Sequence, residues 1–426
     1  MNDKTDRHSD LPCARVGDAI PPWREGCLDL HHINTGAGDA GFFILPDGTT
    51  LLFDAGELDP TTERYNSPRQ AAPKPDGSRR PFEWISDYIR RVHPTPQDPV
   101  LDYAILTHFH EDHLGEAHTR APTHPKGGFL KTGFTGVCSE LPVKKVIDRG
   151  HPAYDYPIRL DSDRLKGHFR ENPAFKAELR MIENYLRFLD WIQSKGTTVE
   201  AFRPGALDQI SLQKRPDGFP DFECRIVCAN GELWSGDQGE TRQLFPDVET
   251  LEIARFPSEN ACSAVTLFKV GKFTYFNGAD IPGIPHIGDP EWTDVESPVA
   301  EVVGPVDVQV LNHHGYRNTQ NQDFTRTLSP RVFVQQNWSA DQPGHDVLLR
   351  MISEKIYPGP RDLFATNMLD ANRHVIGPRI DSAFRSTSGH ILVRVEPDGR
   401  RYWVLILDDS DPRSHLKEVF GPYAAR

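Results

Sequence analysis

The chain is 426 residues long, carries a formal net charge of −13, and is 37% hydrophobic and 26% charged. That length is enough to bury a large core, while an acidic surface repels phosphate polymers. A nucleic-acid polymer is therefore not the expected partner, and a small-molecule substrate is.

The 36 prolines and 33 glycines predict many loops between regular elements. The six cysteines, Cys13, Cys27, Cys138, Cys224, Cys228 and Cys262, form no CxxC pair. A disulfide framework is not expected in so long a chain, and reduced, buried thiols are. Cys224 and Cys228 stand four apart in an apparent strand, where they would share a face without bridging each other. The first twenty residues hold no apolar run, and no stretch is long enough to cross a bilayer. No signal peptide and no membrane association are read, and the cytoplasm is the expected location. Oligomeric state has no signature in the sequence.

In chain order, residues 1–26 read as a polar arm. Alternation from Cys27 to Asn34 predicts a strand. Gly41–Leu45 and Thr50–Asp54 predict a hairpin closed by Pro46-Asp47-Gly48. Residues 59–80, rich in Pro, Arg and Asp, read as an exposed insertion. Trp84, Ile85, Tyr88, Ile89 and Val92 fall at helical spacing, and Leu101–Thr107 is an apolar run of strand length. Residues 118–170 read as irregular and polar, with the basic run from Lys144 to Arg149 as a solvated loop. A helix opens at Asn172-Pro173, with an apolar stripe of Phe175, Leu179, Ile182, Leu186 and Leu189. Strands follow at Glu223–Ala229, Ser263–Val270, Lys272–Asn277, Val306–Asn312 and Val332–Gln336. A helix is predicted over 345–357, and a last hairpin joins His390–Val395 to Tyr402–Leu407. No repeat is apparent. Strands followed by helices in both halves give an α/β class.

The chemistry concentrates after the strand ending at Thr107, in His108-Phe109-His110-Glu111-Asp112-His113. Imidazole and carboxylate suit a borderline metal such as zinc. Four such side chains in six residues cannot all reach one tetrahedral ion without strain. They can divide between two ions if the chain turns at Glu111. The bland alternative is a His-rich surface loop, but the order H-x-H-x-D-H after an apolar strand favours a metal site.

This segment resembles the signature of the metallo-β-lactamase superfamily, residue by residue at His108, His110, Asp112 and His113. Leu51-Leu52-Phe53-Asp54-Ala55-Gly56 is similar to that family's first motif. Phe273-Thr274-Tyr275-Phe276-Asn277-Gly278-Ala279-Asp280 is similar to the strand that ends in its metal-bridging Asp. Val308-Gln309-Val310-Leu311-Asn312-His313-His314-Gly315 is similar to its last motif. The paired histidines before Gly, with Ser258 to Val265, look most like the branch containing the soluble domain of the competence protein ComEC and the choline-phosphate esterases. The resemblance implies an αββα sandwich of the metallo-β-lactamase type with loop insertions. It would occupy residues 27–410, with insertions near 59–80 and 118–215 and a tail at 411–426.

The resemblance also implies roles. His108, His110, Asp112 and His113 would be metal ligands, Asp280 would bridge two ions, and Asp54 would support the metal loop from behind. The family's bridging Asp usually follows Gly directly, whereas Ala279 intervenes here; Asp237, in Gly236-Asp237, is the rival. The third His of the first ion has no clear match, and His151 is the candidate. Of the neighbours His313 and His314, a strand's alternation lets only one face the metal; His313 is taken as the ligand and His314 as a catalytic group on the substrate side. His390 reads as a core or surface histidine.

Two zinc ions per chain are implied, with manganese and iron as alternatives. Coordination lowers the pKa of water from 15.7 toward about 7, so a metal-bound hydroxide would attack, with Asp112 or Asp280 accepting a proton. The expected substrate is a phosphodiester or a related small phosphoester. A lactone, β-lactam or other carbonyl ester or amide is the second reading, since the same nucleophile serves it. The third is a non-catalytic metal-binding regulatory module. Oxygen-reducing iron members of the family usually carry H-x-E where His110 stands, which favours zinc.

Overall fold

The computed structural model describes residues 15–159 and 175–426, the side chains of 175–177 excepted. Cys13, residues 1–14 of the polar arm, the helix start at Asn172-Pro173 and the side chain of Phe175 lie outside the described residues. Among the described residues, two nine-stranded sheets pack face to face.

The first sheet contains β1 (Leu28–His32), β2 (Ala40–Ile44), β3 (Thr50–Ala55), β4 (Leu101–Ile105), β5 (Val143–Asp148), β6 (Thr198–Ala201), β16 (His390–Val395), β17 (Arg401–Leu407) and β18 (Leu416–Ala424). Their spatial order is β18-β17-β16-β1-β2-β3-β4-β5-β6. The second sheet contains β7 (Phe222–Ala229), β8 (Glu232–Trp234), β9 (Thr241–Gln243), β10 (Val265–Val270), β11 (Phe273–Asn277), β12 (Val308–Val310), β13 (Val332–Gln335), β14 (Asp362–Ala365) and β15 (Phe384–Ser386). It runs β15-β14-β13-β12-β11-β10-β7-β8-β9.

The central strands are buried on both faces, which is why they read as nearly unbroken apolar runs. Leu51 and Phe53 of β3 point between the sheets, toward Phe268 and Tyr275. Leu52 points outward, against helices. The helices on that outer face are α1 (Pro81–Val92), α3 (Gly133–Glu140) and α4 (Phe175–Gln193); α2 (Glu111–Leu114) is a single turn at the sheet's end. α1 starts with Pro at its first position, Glu83 Oε2 accepts from the Arg80 N–H at 2.9 Å, and the helix buries Phe82, Ile85, Tyr88 and Ile89. In α4 the most deeply buried face is Met181, Tyr185, Phe188 and Ile192, so the stripe through Leu179 and Leu186 lies on its flank. The second sheet is covered by α5 (Glu296–Val303), α6 (Gln322–Leu328), α7 (His345–Ile352), α8 (Asp370–Ile376) and α9 (Arg379–Ala383). The result is the expected αββα sandwich.

Several expectations are corrected. Residues 118–170 are not uniformly irregular, since they supply α3 and β5. The basic run from Lys144 is β5 rather than a solvated loop, because its residues Val143, Val146 and Ile147 are buried, and Arg149 is buried beyond it. The stretch 118–215 thus contributes sheet strands, and residues 416–424 of the expected tail form β18 against β17. The helix at 345 ends at Ile352, and the strand near 306–312 is only Val308–Val310. Cys224 and Cys228 do not share a face. A β-bulge opposite Val265 and Thr266 shifts the phase, so Cys224 packs between the sheets and Cys228 packs under the outer helices. The five described cysteines are buried free thiols. Among the described residues no helix is long and apolar enough to cross a membrane.

Each sheet changes from antiparallel to parallel pairing part-way across, at β3 in the first and β11 in the second. Loops leaving the carboxyl ends of strands at such a point diverge to opposite sides and leave a crevice. The segments leaving β3, β4, β11 and β12 meet there. They approach closely: Asp39 N–H donates to the carbonyl of Asp112 at 2.8 Å, and a Cβ on Gly56 would lie 2.1 Å from that same oxygen. Gly56→Ala should therefore displace the 108–113 segment and cost about 1–3 kcal/mol, the usual range for overpacking. Urea denaturation checks this.

Candidate metal centre

Four left-handed residues shape the site: Asp54 (φ 55°), Ala279 (φ 46°), His313 (φ 48°) and His314 (φ 54°). Such conformations are strained for non-glycine residues and persist only where the surroundings enforce them. Ala279 takes the kink after Gly278 that delivers Asp280 into the cluster. β12 has already ended at Val310, so His313 and His314 lie in a tight turn and the alternation of a strand does not apply to them.

Two groups of candidate ligands result. Asp112, His113, Asp280 and His314 form one, and His108, His110 and Asp280 form the other, with Asp280 common to both. His314 Nε2 is 2.8 Å from Asp112 Oδ2 and 3.6 Å from Asp280 Oδ2. His113 Nε2 is 3.2 Å from Asp280 Oδ1, and His108 Nε2 is 3.7 Å from Asp280 Oδ2. His108 Nε2 and His110 Nδ1 are 3.3 Å apart.

Hydrogen bonds behind the rings decide which nitrogens face the centre as acceptors. Asp54 Oδ1 accepts from the Thr107 N–H at 2.8 Å, and its Oδ2 accepts from Thr107 Oγ1 at 2.7 Å and from His113 Nδ1 at 2.9 Å. His113 therefore carries a proton on Nδ1. Thr107 has spent its own proton on Asp54, so its oxygen accepts from His108 Nδ1 at 3.1 Å. His314 Nδ1 faces two acceptors, Asp39 Oδ1 at 3.0 Å and the Gln336 carbonyl at 3.1 Å. In all three rings Nδ1 is the donor, which leaves Nε2 to meet the carboxylates.

The gap in front of these nitrogens needs a cation. His113 Nε2 and both oxygens of Asp280 are buried with no hydrogen-bond partner. Burial disfavours ionising Asp112 and Asp280, yet the imidazoles of His113 and His314 outweigh it and hold both carboxyls well below the usual range. Burial likewise opposes charge on His113 and His314. The carboxylate of Asp280 for the first, and of Asp39 for the second, push both far above the ordinary imidazole range. His108, dominated by burial, is pushed well below it. Protons or a divalent metal satisfy this demand, and the nitrogen and oxygen donor set fits a borderline metal.

The other expected residues fall as follows. His313 was expected as the ligand and His314 on the substrate side; the turn brings His314 into the four-residue group and leaves His313 outside it. His314 is buried inside the four-residue group, whereas His313 is 22% exposed at the rim, with Nε2 3.9 Å from Asp280 Oδ2. Asn318 Oδ1 at 3.0 Å and Asn260 Nδ2 at 3.3 Å flank the His313 ring. His151 is in neither group; it packs edge-on to Tyr154 beside α4. Asp237 is exposed in the β8–β9 turn. His390 is a core residue whose Nδ1 accepts from the Asn34 N–H, and burial pushes its pKa down to about 4.

Sequence reading missed Asp39; the glycine-rich turn just before it, Gly36-Ala37-Gly38, was the one available signal. It also missed Glu259. That carboxylate accepts from the Phe109 N–H at 2.8 Å and from Arg149 Nε at 2.7 Å, while the Arg149 guanidinium lies 4.7 Å from the Phe109 ring. This pair clamps the peptide between His108 and His110, and its members stand too far apart in sequence to signal each other.

No family model and no curated protein matches the chain. Among solved structures, it is similar to a protein of Parabacteroides distasonis provisionally named a metal-dependent hydrolase, at 10% identity and a TM-score of 0.33, covering 79% of this chain and 92% of that one.

Asp54→Asn keeps the side chain's shape but offers an oxygen on one side only, where three donors now converge. Metal affinity should fall about 10- to 100-fold, as for other residues that orient ligands, with the fold retained. Competition against a chromophoric chelator measures it.

Proposed function

We propose that the chain is a metal-dependent hydrolase holding two divalent cations, zinc foremost, and acting on a small phosphoester. One observation carries this reading. Three imidazole Nε2 atoms, each with its Nδ1 already committed to an acceptor, converge on two buried carboxylates that no Lys or Arg pairs with among the described residues.

His113, His314 and Asp112 would hold one ion, His108 and His110 the other, and Asp280 would serve both. The second set is a ligand short of a tetrahedral shell, which leaves a coordination position for water or substrate. A bound pair of divalent cations supplies Lewis acidity and a water that ionises near neutral pH. Asp112, held ionised by its imidazole neighbours, can accept a hydrogen bond from the attacking water. His313 sits at the rim with its pKa lowered by burial, so in neutral form it can bond a substrate oxygen or relay a proton. The preference for a phosphoester over a carbonyl substrate rests on the likeness of the 258–265 and 308–315 segments to the phosphoesterase branch.

Elemental analysis of zinc-reconstituted protein should give two metals per chain. His314→Ala should lose one of them. His313→Ala should keep both and lower kcat on the order of 10²-fold, the scale of a lost proton-transfer group. Loss of metal from His313→Ala instead would reverse the two roles. Turnover of bis(4-nitrophenyl) phosphate supports the phosphoester reading, turnover of nitrocefin or a lactone alone supports a carbonyl substrate, and bound metal without turnover supports a binding module.

A further inference from the structure

A cavity of about 500 Å³ opens beside His313. Its floor is His313, Asn260 and Asn318, the same residues that bond one another at the rim of the metal centre, so the cavity is continuous with the site. One wall is the segment 254–261, a second is the loop 282–293, and a third is Tyr316-Arg317.

The walls carry charge opposite to that of the whole molecule. Arg255 and Arg317 line the cavity against a single carboxylate, Asp289, in a chain of net charge −13. Neither guanidinium is in an ion pair among the described residues. Arg255 Nη1 reaches only the Gly288 carbonyl, at 3.4 Å, and Arg317 lies 5.4 Å from the Tyr316 ring. Phe256, Trp292 and Tyr316 add aromatic surface between them.

A second cavity of similar size, about 490 Å³, provides the contrast. Its cations are Lys74, Arg79, Arg80 and Arg120. Three of those cations are already matched, with Lys74 on Asp409, Arg79 on Asp87 and Arg80 on Glu57, and Arg120 alone is in no ion pair among the described residues. Of these two cavities, the first alone holds two unmatched arginines and is continuous with the metal centre. An unpaired Arg at the wall of a cleft favours an oxyanion, which it binds through parallel N–H groups.

We propose that this cavity is the substrate cleft, and that Arg255 and Arg317 bind a second oxyanion on the substrate, separated from the scissile phosphoester by a planar or apolar group. The inference rests on the hydrolase reading for the scissile ester, but the oxyanion site is separable from it.

Two measurements test it. The first is the ratio of kcat/KM for 4-carboxyphenyl 4-nitrophenyl phosphate to that for bis(4-nitrophenyl) phosphate, on zinc-loaded protein. It should exceed tenfold and fall to about one in the R255Q/R317Q double variant, while Arg326→Gln, an exposed arginine outside the cavity, keeps it. The second is calorimetric titration of metal-free protein with 4-carboxyphenyl phosphate and with 1,4-phenylene diphosphate. At least one should bind tenfold more tightly to the unsubstituted protein than to the double variant, and the tighter ligand identifies the oxyanion as carboxylate or phosphate. Turnover with a ratio and affinities indifferent to the arginines overturns the cleft and leaves the hydrolase reading intact. No turnover together with arginine-dependent binding removes the hydrolase reading and supports the oxyanion site.

Discussion

The carboxylate of Asp54 is the constraint on which the centre depends. It lies at the end of β3, in a left-handed conformation, and accepts three hydrogen bonds. One fixes the backbone at Thr107, one fixes the tautomer of His113, and one uses up the Thr107 hydroxyl proton so that His108 must donate to it. A single buried anion thus decides which lone pairs two rings present to the cluster. The Gln336 carbonyl performs the same service for His314, with the Asp39 carboxylate 3.0 Å from the same nitrogen. The candidate ligands are aimed in advance, which would lower the cost of ordering them on binding an ion.

The site also depends on backbone placed where side chains would interfere. Gly38 and Gly56 leave room for the carbonyl of Asp112; a Cβ on Gly38 would lie 2.3 Å from that oxygen. The strain at Ala279, His313 and His314 is held by the bonds around the turn. His313 N–H donates to the Ala279 carbonyl, and the buried Glu296 accepts from Asn312 at 2.7 Å and from the backbone of Gln320 and Asn321. Bonds across the two loops keep Asp280 and His314 in register.

Much of this was legible in the sequence for a physical reason. His108 to His113 crowd four ligand-type side chains directly behind an apolar strand, a density that a solvated loop has no need of. The strands buried on both faces announce themselves as apolar runs. Two kinds of feature were not legible. Strand phase was lost wherever the backbone departed from regular pleating. The bulge in β7 separated Cys224 from Cys228, and the turn after Val310 buried His314 in the cluster and left His313 at its rim. Partnerships between distant charged residues were equally silent. Arg149 looked like the end of a solvated basic run because its partner, Glu259, is 110 positions away. The β5 strand was misread for a related cause, since its lysines outweighed three buried apolar residues.

The centre draws its candidate ligands from both sheets. His108, His110, Asp112 and His113 follow β4 in the first, and Asp280 and His314 follow β11 and β12 in the second. An ion shared among them is therefore a cross-link between layers that are otherwise joined mainly by apolar contact. By mass action, an ion at a hundred times its dissociation constant adds about 2.7 kcal/mol per site to the folded state. Here that stabilisation falls on one seam of the sandwich, at the end where the crevice opens. The metal would act as a clasp at the mouth of the fold, and its release would loosen that end while the opposite end stayed closed by the core.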